Sequence, residues 1–197
     1  MVNLRPVAPA DLDALYHICL VTGDAGADAS PLHTDPQLVG HLYAAPYAML
    51  DPAHALVAED EEGVAGYLVG VYDTNAFATR LEREWWPPLR QRYADAKGMS
   101  AADLERIDAI VHPHVNPPEL VAAYPAHIHM NLLPRLRGRS IGTSLLRMWI
   151  DQARRAGISG IHLGASASNA GGIAFWTHSG FMPQSTIGST VWFGMNL

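Results

Sequence analysis

Arg137-Gly138-Arg139-Ser140-Ile141-Gly142 is the hexapeptide whose residue types and spacing best suit chemistry. A phosphate or diphosphate is held by several backbone N–H donors converging within hydrogen-bond reach, and small residues let the backbone come that close. An alternating segment from Tyr124 runs into this Gly- and Arg-rich turn, and a long amphipathic stretch follows it, ending near Leu146 and beyond. A helix starting there adds about half a positive charge at its N-terminus. The plainer alternative is a strand-to-helix turn with surface arginines. The pattern is neither GxGxxG nor GxxxxGK[ST], which disfavours a dinucleotide fold and a P-loop.

A second group precedes the turn. His127, His129 and Asn131 alternate with Ile128, Met130 and Leu132. A central strand is usually buried on both faces, so a polar stripe on one of them is expected to line a cleft. Histidine titrates close enough to neutrality to move protons there, and these three are the candidate catalytic residues. The competing reading is hydrogen-bonded structural histidines. Tyr72 and Asp73, at the end of an earlier strand, are candidates for the same cleft, against the alternative of a strand-end turn. His112-x-His114 and His127-x-His129 lack a third ligand at a telling spacing, so no metal site is expected. Trp85-Trp86 reads as a packing anchor before a carbohydrate platform. Asp24 and Asp28 could meet a cationic acceptor, or simply belong to a solvated loop.

The elements that must position these residues follow from pattern. Asn3–Val7 is extended, and Leu12, Leu15, Tyr16 and Cys19 mark one face of a helix ending near Leu20. Residues 22–31 form a loop. A second helix runs from Asp35-Pro36 to about Tyr43 and stops before Pro46. Ala55–Glu59 and Val64–Tyr72 make a hairpin, with Gly66 and Gly70 marking a bulge or a close backbone approach. Residues 73–123 carry charged helical stretches and five prolines, Pro87, Pro88, Pro113, Pro117 and Pro118, and interrupt the strand pattern. They read as a helical insertion within one domain spanning 1–197. After the opening strand and turn come a helix from Ser140 to Ala156, a strand from Ile158 to Ala165, a short helix capped by Asn169, and a last hairpin from Gly180-Phe181 to Met195.

Composition narrows the class. The chain has 197 residues, enough for a sizeable core, and nearly half are apolar. No run reaches the roughly 18 apolar residues of a membrane span, and MVNLRPVAPADLDAL lacks the charged start and apolar core of a signal peptide. A soluble cytoplasmic protein with no membrane partner is expected. One cysteine, Cys19, excludes an internal disulfide framework and a thiolate metal cluster. A formal charge of −6 argues against a nucleic-acid partner. A homodimer is left open.

The element order, together with Arg137, Gly142, Asn169 and Gly180-Phe181, resembles the GNAT family of acetyl-CoA-dependent N-acetyltransferases along nearly the whole chain. Ser140 replaces the first glycine of the family's turn. Residues 35–77, including PQLVGHLYAAPYAMLDPAHALVAEDEEGVAGYLVGVYDTNAF, with Trp85-Trp86-Pro87 and Tyr124-Pro125, are similar in turn to the acetyltransferase-like C-terminal domain of eukaryotic O-GlcNAc hydrolases. The resemblance implies an α/β (α+β) GNAT fold: a mixed sheet of about six or seven strands flanked by helices, with the insertion before the central strand. It implies acetyl-CoA as cosubstrate and an amine of a small molecule or peptide as acceptor, and it does not imply sugar hydrolysis. By the same resemblance the N–H groups of Arg137, Gly138, Arg139, Ser140, Ile141, Gly142 and Thr143 would hold the pyrophosphate. Leu132 and Leu133 would pair by backbone with the pantetheine, an N–H near Leu132 would polarise the thioester carbonyl, and Asn169 would reach the pantetheine arm. Trp176 stands where many members have a tyrosine acid, at the cofactor's reacting end. That departure implies a non-catalytic acetyl-CoA-binding or interaction module as the alternative to an enzyme.

Overall fold

The computed structural model describes residues Met1–Leu197. Its centre is one seven-stranded sheet in the order β1-β2-β3-β4-β5-β7-β6. β1 (Asn3–Pro6), β2 (Ala55–Asp60), β3 (Gly63–Val71) and β4 (Ala126–Leu132) form an antiparallel half. β5 (Gly160–Ser166), β7 (Thr190–Asn196) and β6 (Met182–Ile187) form another. The halves meet through the parallel pair β4–β5, which is in register only at Ala126 opposite Ile161 and His127 opposite His162. Beyond those two positions the strands diverge, and the C-terminal part of β4 has a free edge.

The sheet is covered on both faces. α1 (Leu12–Leu20), α2 (Leu38–Tyr43) and α3 (Ala45–Leu50) lie on one side. α8 (Ile141–Arg155) lies on the other, with Gly142, Leu145, Leu146, Trp149 and Ala153 buried at the helical spacing the sequence shows. Trp149 is fully buried and its indole N–H donates to the His54 carbonyl at 3.0 Å. Both strand glycines permit close approach. A Cβ on Gly66 would run into the Leu132 side chain, and one on Gly70 would sit 2.9 Å from the Trp149 ring. The core cluster holds 32 buried residues and runs continuously through both halves.

Residues 73–123 build α4 (Thr74–Arg80), a π-helical segment Leu81–Trp85, α5 (Trp86–Arg92), α6 (Ala101–Val111) and α7 (Pro118–Ala123). The wide turn precedes Pro87-Pro88, which have no N–H to continue an ordinary ladder. Trp86, Leu89, Tyr93, Ile107 and Ile110 pack on Leu38 of α2 as a second, smaller core. Trp85 donates its indole N–H to the His41 carbonyl at 2.9 Å. Two local expectations change. The helix read as ending before Pro46 resumes as α3, because Pro46 occupies its first turn, where the missing N–H costs nothing. Tyr72 does not face the histidine stripe. Its ring lies 5.3 Å from Trp149, on the α8 side, continuing just past the end of β3 the alternation that puts Leu68 and Gly70 on that face.

Candidate functional site

The diverging strands β4 and β5 open toward the turn between β4 and α8, and the site is built around that gap. Ala65–Leu133 is a hydrogen-bonded position, because the Leu133 N–H donates to the Ala65 carbonyl at 2.8 Å. In an antiparallel ladder such positions recur every second residue. Asn131, His129 and His127 therefore direct their backbone groups to β3, and Met130 and Leu132 direct theirs into the gap. The expectation that Leu133 offers its backbone there is corrected. Its N–H goes to Ala65, and its carbonyl accepts from the Leu136 N–H at 3.0 Å. Met130, not singled out from sequence, takes that place. The Leu132 carbonyl already accepts from the Arg137 guanidinium at 3.0 Å, which leaves the Leu132 N–H free.

The turn at the gap's open end is rich in unpaired donors. Gly138 and Ser140 both have positive φ, at 70° and 59°. Pro134–Leu136 is a single 3-10 turn, and α8 starts at Ile141 with Ser140 as N-cap. Across this kink no carbonyl accepts the consecutive N–H groups from Gly138 to Thr143; the ladder begins when the Ser144 N–H donates to the Ser140 carbonyl. Consecutive free donors at a helix N-terminus form an anion-binding concavity. A Cβ on Gly142 would stand 3.3 Å from both Leu132 Cδ1 and Met130 Cε, so the helix start is pressed against the strand. Ser140 occupies a backbone conformation that glycine takes freely and other residues take at a cost of about 1 kcal/mol or more.

Arg137 ties this end together. Besides Leu132, its guanidinium donates to the Gly26 carbonyl at 3.0 Å, in the loop after α1. Asn169 is also at that loop: its side-chain oxygen is 3.6 Å from where a Gly26 Cβ would be. That oxygen caps α9 (Ala170–His178), accepting the Gly172 N–H at 2.8 Å, so the amide NH2 is the part of Asn169 left to a ligand. Trp176 is buried between Phe175 and Phe181, with ring centroids at 5.0 and 5.3 Å. It packs as core at this position.

The polar stripe divides residue by residue. Thr74 donates its hydroxyl proton to the Pro125 carbonyl at 2.7 Å, so its oxygen accepts from His127 Nδ1–H at 2.8 Å. His127 Nε2 is then the acceptor for the Tyr47 hydroxyl, also at 2.8 Å. Both ring nitrogens are used and the tautomer is fixed. Burial, with His129 and His162 nearby, pulls the ring's pKa well below the usual value. This is a satisfied core histidine, and the structural reading replaces the catalytic one. Its parallel neighbour His162 is equally tied: Nδ1–H donates to the Tyr124 carbonyl at 2.6 Å, and Nε2 accepts from Asn116 at 2.8 Å.

His129 is different. It is half-buried, its ring meets Tyr43 at 5.6 Å and Tyr47 at 5.3 Å, and neither nitrogen bonds to the protein. Burial, assisted by His162, pushes it down to about 4. At neutral pH it is an uncharged imidazole with a free acceptor. Asn131 donates its amide to the Thr22 hydroxyl, which donates to the Ile18 carbonyl at 2.6 Å. That fixes the start of the loop over the gap. Asp73 lies apart from the stripe. It caps α4, accepting the Ala76 N–H at 2.9 Å, and borders a separate cavity with Asp51, His54 and Arg80. Thr22, Tyr47, Thr74 and Gly26 gave no signal in the sequence, because each meets its partner across 50 or more residues.

A parallel pair that parts after two positions, with an anion-binding turn at the open end, is the frame of an acyl-CoA-dependent N-acyltransferase, and comparison with known proteins agrees. The sequence pattern of the Acetyltransferase (GNAT) family matches residues 101–181. The crystal structure of SsHAT superposes with a TM-score of 0.86 at 32% identity, covering 99% of this chain and 98% of that one. The chain belongs to the GNAT acetyltransferase family. It is also 26% identical over 161 residues to Protein O-GlcNAcase of Rattus norvegicus. That match takes in 80% of this chain and only 18% of the rat protein. The PaiA N-acetyltransferase of Thermoplasma acidophilum, solved with coenzyme A, shares the fold at a TM-score of 0.62 and 12% identity, over 100% of this chain and 99% of that one. No helix is long and apolar enough to cross a membrane.

Proposed function

We propose that the protein is an acetyl-CoA-dependent N-acetyltransferase, one domain over residues 1–197 with 73–123 inserted in it, acting in the cytoplasm on an amine of a small molecule or peptide. The run of unpaired N–H groups from Gly138 to Thr143 carries this reading, since a pyrophosphate is an acceptor-rich anion that such a turn fits. The free β4 edge at Met130 and Leu132 suits backbone pairing with an extended amide-bearing chain, as an added strand pairs. Acetyl-CoA supplies an activated thioester. The Leu132 N–H is available to stabilise the carbonyl oxygen as charge develops there. The neutral amine forms the C–N bond, the C–S bond breaks, and the amine's proton leaves to solvent. His129, an acceptor with pKa about 4, holds that proton too weakly to store it; it orients the amine or a water that relays the proton outward.

Isothermal titration with acetyl-CoA tests the reading. Saturable binding is expected for the native protein. Gly142→Asp, which puts a carboxylate against Leu132 and Met130 inside the cradle, should weaken it by about a hundredfold or more. No heat at millimolar acetyl-CoA would sink the proposal.

A second reading rests on Trp176. An indole is no proton donor, and this one is packed as core. A module that binds acetyl-CoA without turnover accounts for it. Free-thiol release with a panel of amines separates the two, and turnover well above buffer hydrolysis removes the second.

A further inference from the structure

Charge is divided unevenly along this chain. All 13 Lys and Arg and all 19 Asp and Glu precede Ala156, so residues 156–197 carry none. Those residues build β5, α9, β6 and β7, and β5 is the far bank of the β4 gap. A molecule that meets this bank is held there by ring faces, hydroxyls and backbone groups, not by ion pairs.

One aromatic row crosses the seam on the face opposite α8. Between ring centroids, His129 stands 6.0 Å from His127, His127 5.6 Å from His162, and His162 6.3 Å from Trp192. Past the last ladder pair, His127 with His162, the next positions on this face are His129 on one bank and Gly164 on the other. Trp192 lies over Gly164: a Cβ there would be 3.2 Å from its Cζ3 and 3.4 Å from its Cε3. The glycine leaves room for the indole against the sheet, beside the gap. Trp192 is half-buried and its N–H has no protein partner, whereas Trp85 and Trp149 each donate to a carbonyl. Tyr43 and Tyr47 flank His129 on the near bank. No carboxylate bonds to any ring of this row; His127 and His162 are held by Thr74, Tyr47, Tyr124 and Asn116.

An ammonium entering this row loses hydration and finds no carboxylate to replace it. Cation–π attraction to the rings offsets part of that cost, but it holds the nitrogen protonated, the state that cannot attack a thioester. His129, pushed down to about 4, does not take that proton. An arylamine avoids the problem. Conjugation with the ring keeps its nitrogen uncharged at neutral pH, and the same ring is a flat partner for an indole. We propose that the acceptor is an uncharged aromatic amine whose ring stacks on Trp192 while its nitrogen reaches the β4 gap beside His129. The nitrogen forms the C–N bond, the C–S bond breaks with its electron pair on sulfur, and the acidic proton left on nitrogen passes to water. The inference rests on the acetyltransferase reading for the identity of the reaction, but the stacking platform itself can be tested without turnover.

Aniline and cyclohexylamine share a ring size and differ in charge at neutral pH. Their acetylated products, acetanilide and N-cyclohexylacetamide, are both uncharged and differ in the flatness of the ring. All four are titrated with and without coenzyme A, and the two amines are compared by kcat/KM with acetyl-CoA. The native protein should bind aniline about tenfold or more tighter than cyclohexylammonium, and turn it over with the same preference. Acetanilide should bind about three- to tenfold tighter than its cyclohexyl counterpart, the scale of one aromatic stacking contact. Trp192→Ala should erase the acetanilide preference, and Trp192→Phe should keep part of it. Cyclohexylammonium bound as well as aniline, binding of no probe, or an acetanilide preference that survives in Trp192→Ala overturns the proposal. Acetyl-CoA titrated into the same samples keeps the two proposals apart. The ring preference without acetyl-CoA binding would retain the platform and remove the transferase; acetyl-CoA binding without the preference would do the reverse.

Discussion

The two ends of β4 are built on opposite rules. At its start, His127 and His162 sit side by side with all four ring nitrogens engaged, by Thr74, Tyr47, Tyr124 and Asn116. At its finish, the gap edge and the turn beyond it leave N–H groups unengaged from Gly138 to Thr143, and His129 midway has no partner. Satisfied polar groups at the closed end hold the sheet halves together, since an unpaired buried one costs about 1–3 kcal/mol. Unsatisfied groups at the open end persist where solvent or a ligand can reach them. Residue type does not separate these roles, since histidines occur in both. Hydrogen-bond completeness does.

Acid should act first on the buried histidines, at the closed end of β4 and beyond it. His127, His129, His162 and His41 are all pulled down by burial, His129 and His41 to about 4. Their unfolded values are near 6.5, so below that pH the unfolded chain binds protons that the folded chain does not. Stability is therefore expected to fall as pH drops from about 6.5 toward 4, each histidine contributing up to about 1.4 kcal/mol per pH unit. Asp103 works in a lower window. Burial pushes it up, but hydrogen bonds from His33, Thr34 and Ser100 hold it at about 2, so its contribution is lost only below about pH 4. Urea unfolding at intervals from pH 7.5 to 4.5 reads the slope; flat stability across that range would contradict the assignment of neutral buried rings.

Substitution compares the ends directly. His127→Ala should cost about 3 kcal/mol, combining a cavity with the orphaned Tyr47 hydroxyl. His129→Ala should cost about 1 kcal/mol or less in stability and show itself in acetyl transfer instead. Equal losses of stability would erase the contrast between the two histidines. The smallest effect is expected at the open end. Ser140→Gly relieves the left-handed serine and should stabilise by about 1 kcal/mol, a rise of a few degrees in melting temperature. A fall would mean that the serine side chain offsets its own strain.

The periodicities made β4, α8 and the outline of both sheet halves legible, because side-chain alternation and helical spacing are local. Gly66 and Gly70 were readable as close approaches for the same reason. What decides His127 against His129 is not local: Tyr47 lies 80 residues away, and Thr74 lies 53. Leu133 was misplaced by one position, and in a strand one position exchanges the two edges. Asp73 was misread because an aspartate at a strand end serves as a helix cap as readily as it faces a cleft.

The seam between the halves has a consequence for how the protein melts. Two ladder positions are all that join β4 to β5, so the sheet behaves as two plates on a narrow weld with helices clamped across it. Any molecule that pairs with the loose margin of β4 while touching α9 lengthens the weld. Such a molecule would raise the melting point by mass action, about 2.7 kcal/mol at a hundred times its dissociation constant. It would also slow amide exchange in both plates together, turning a jointed sheet into a continuous one.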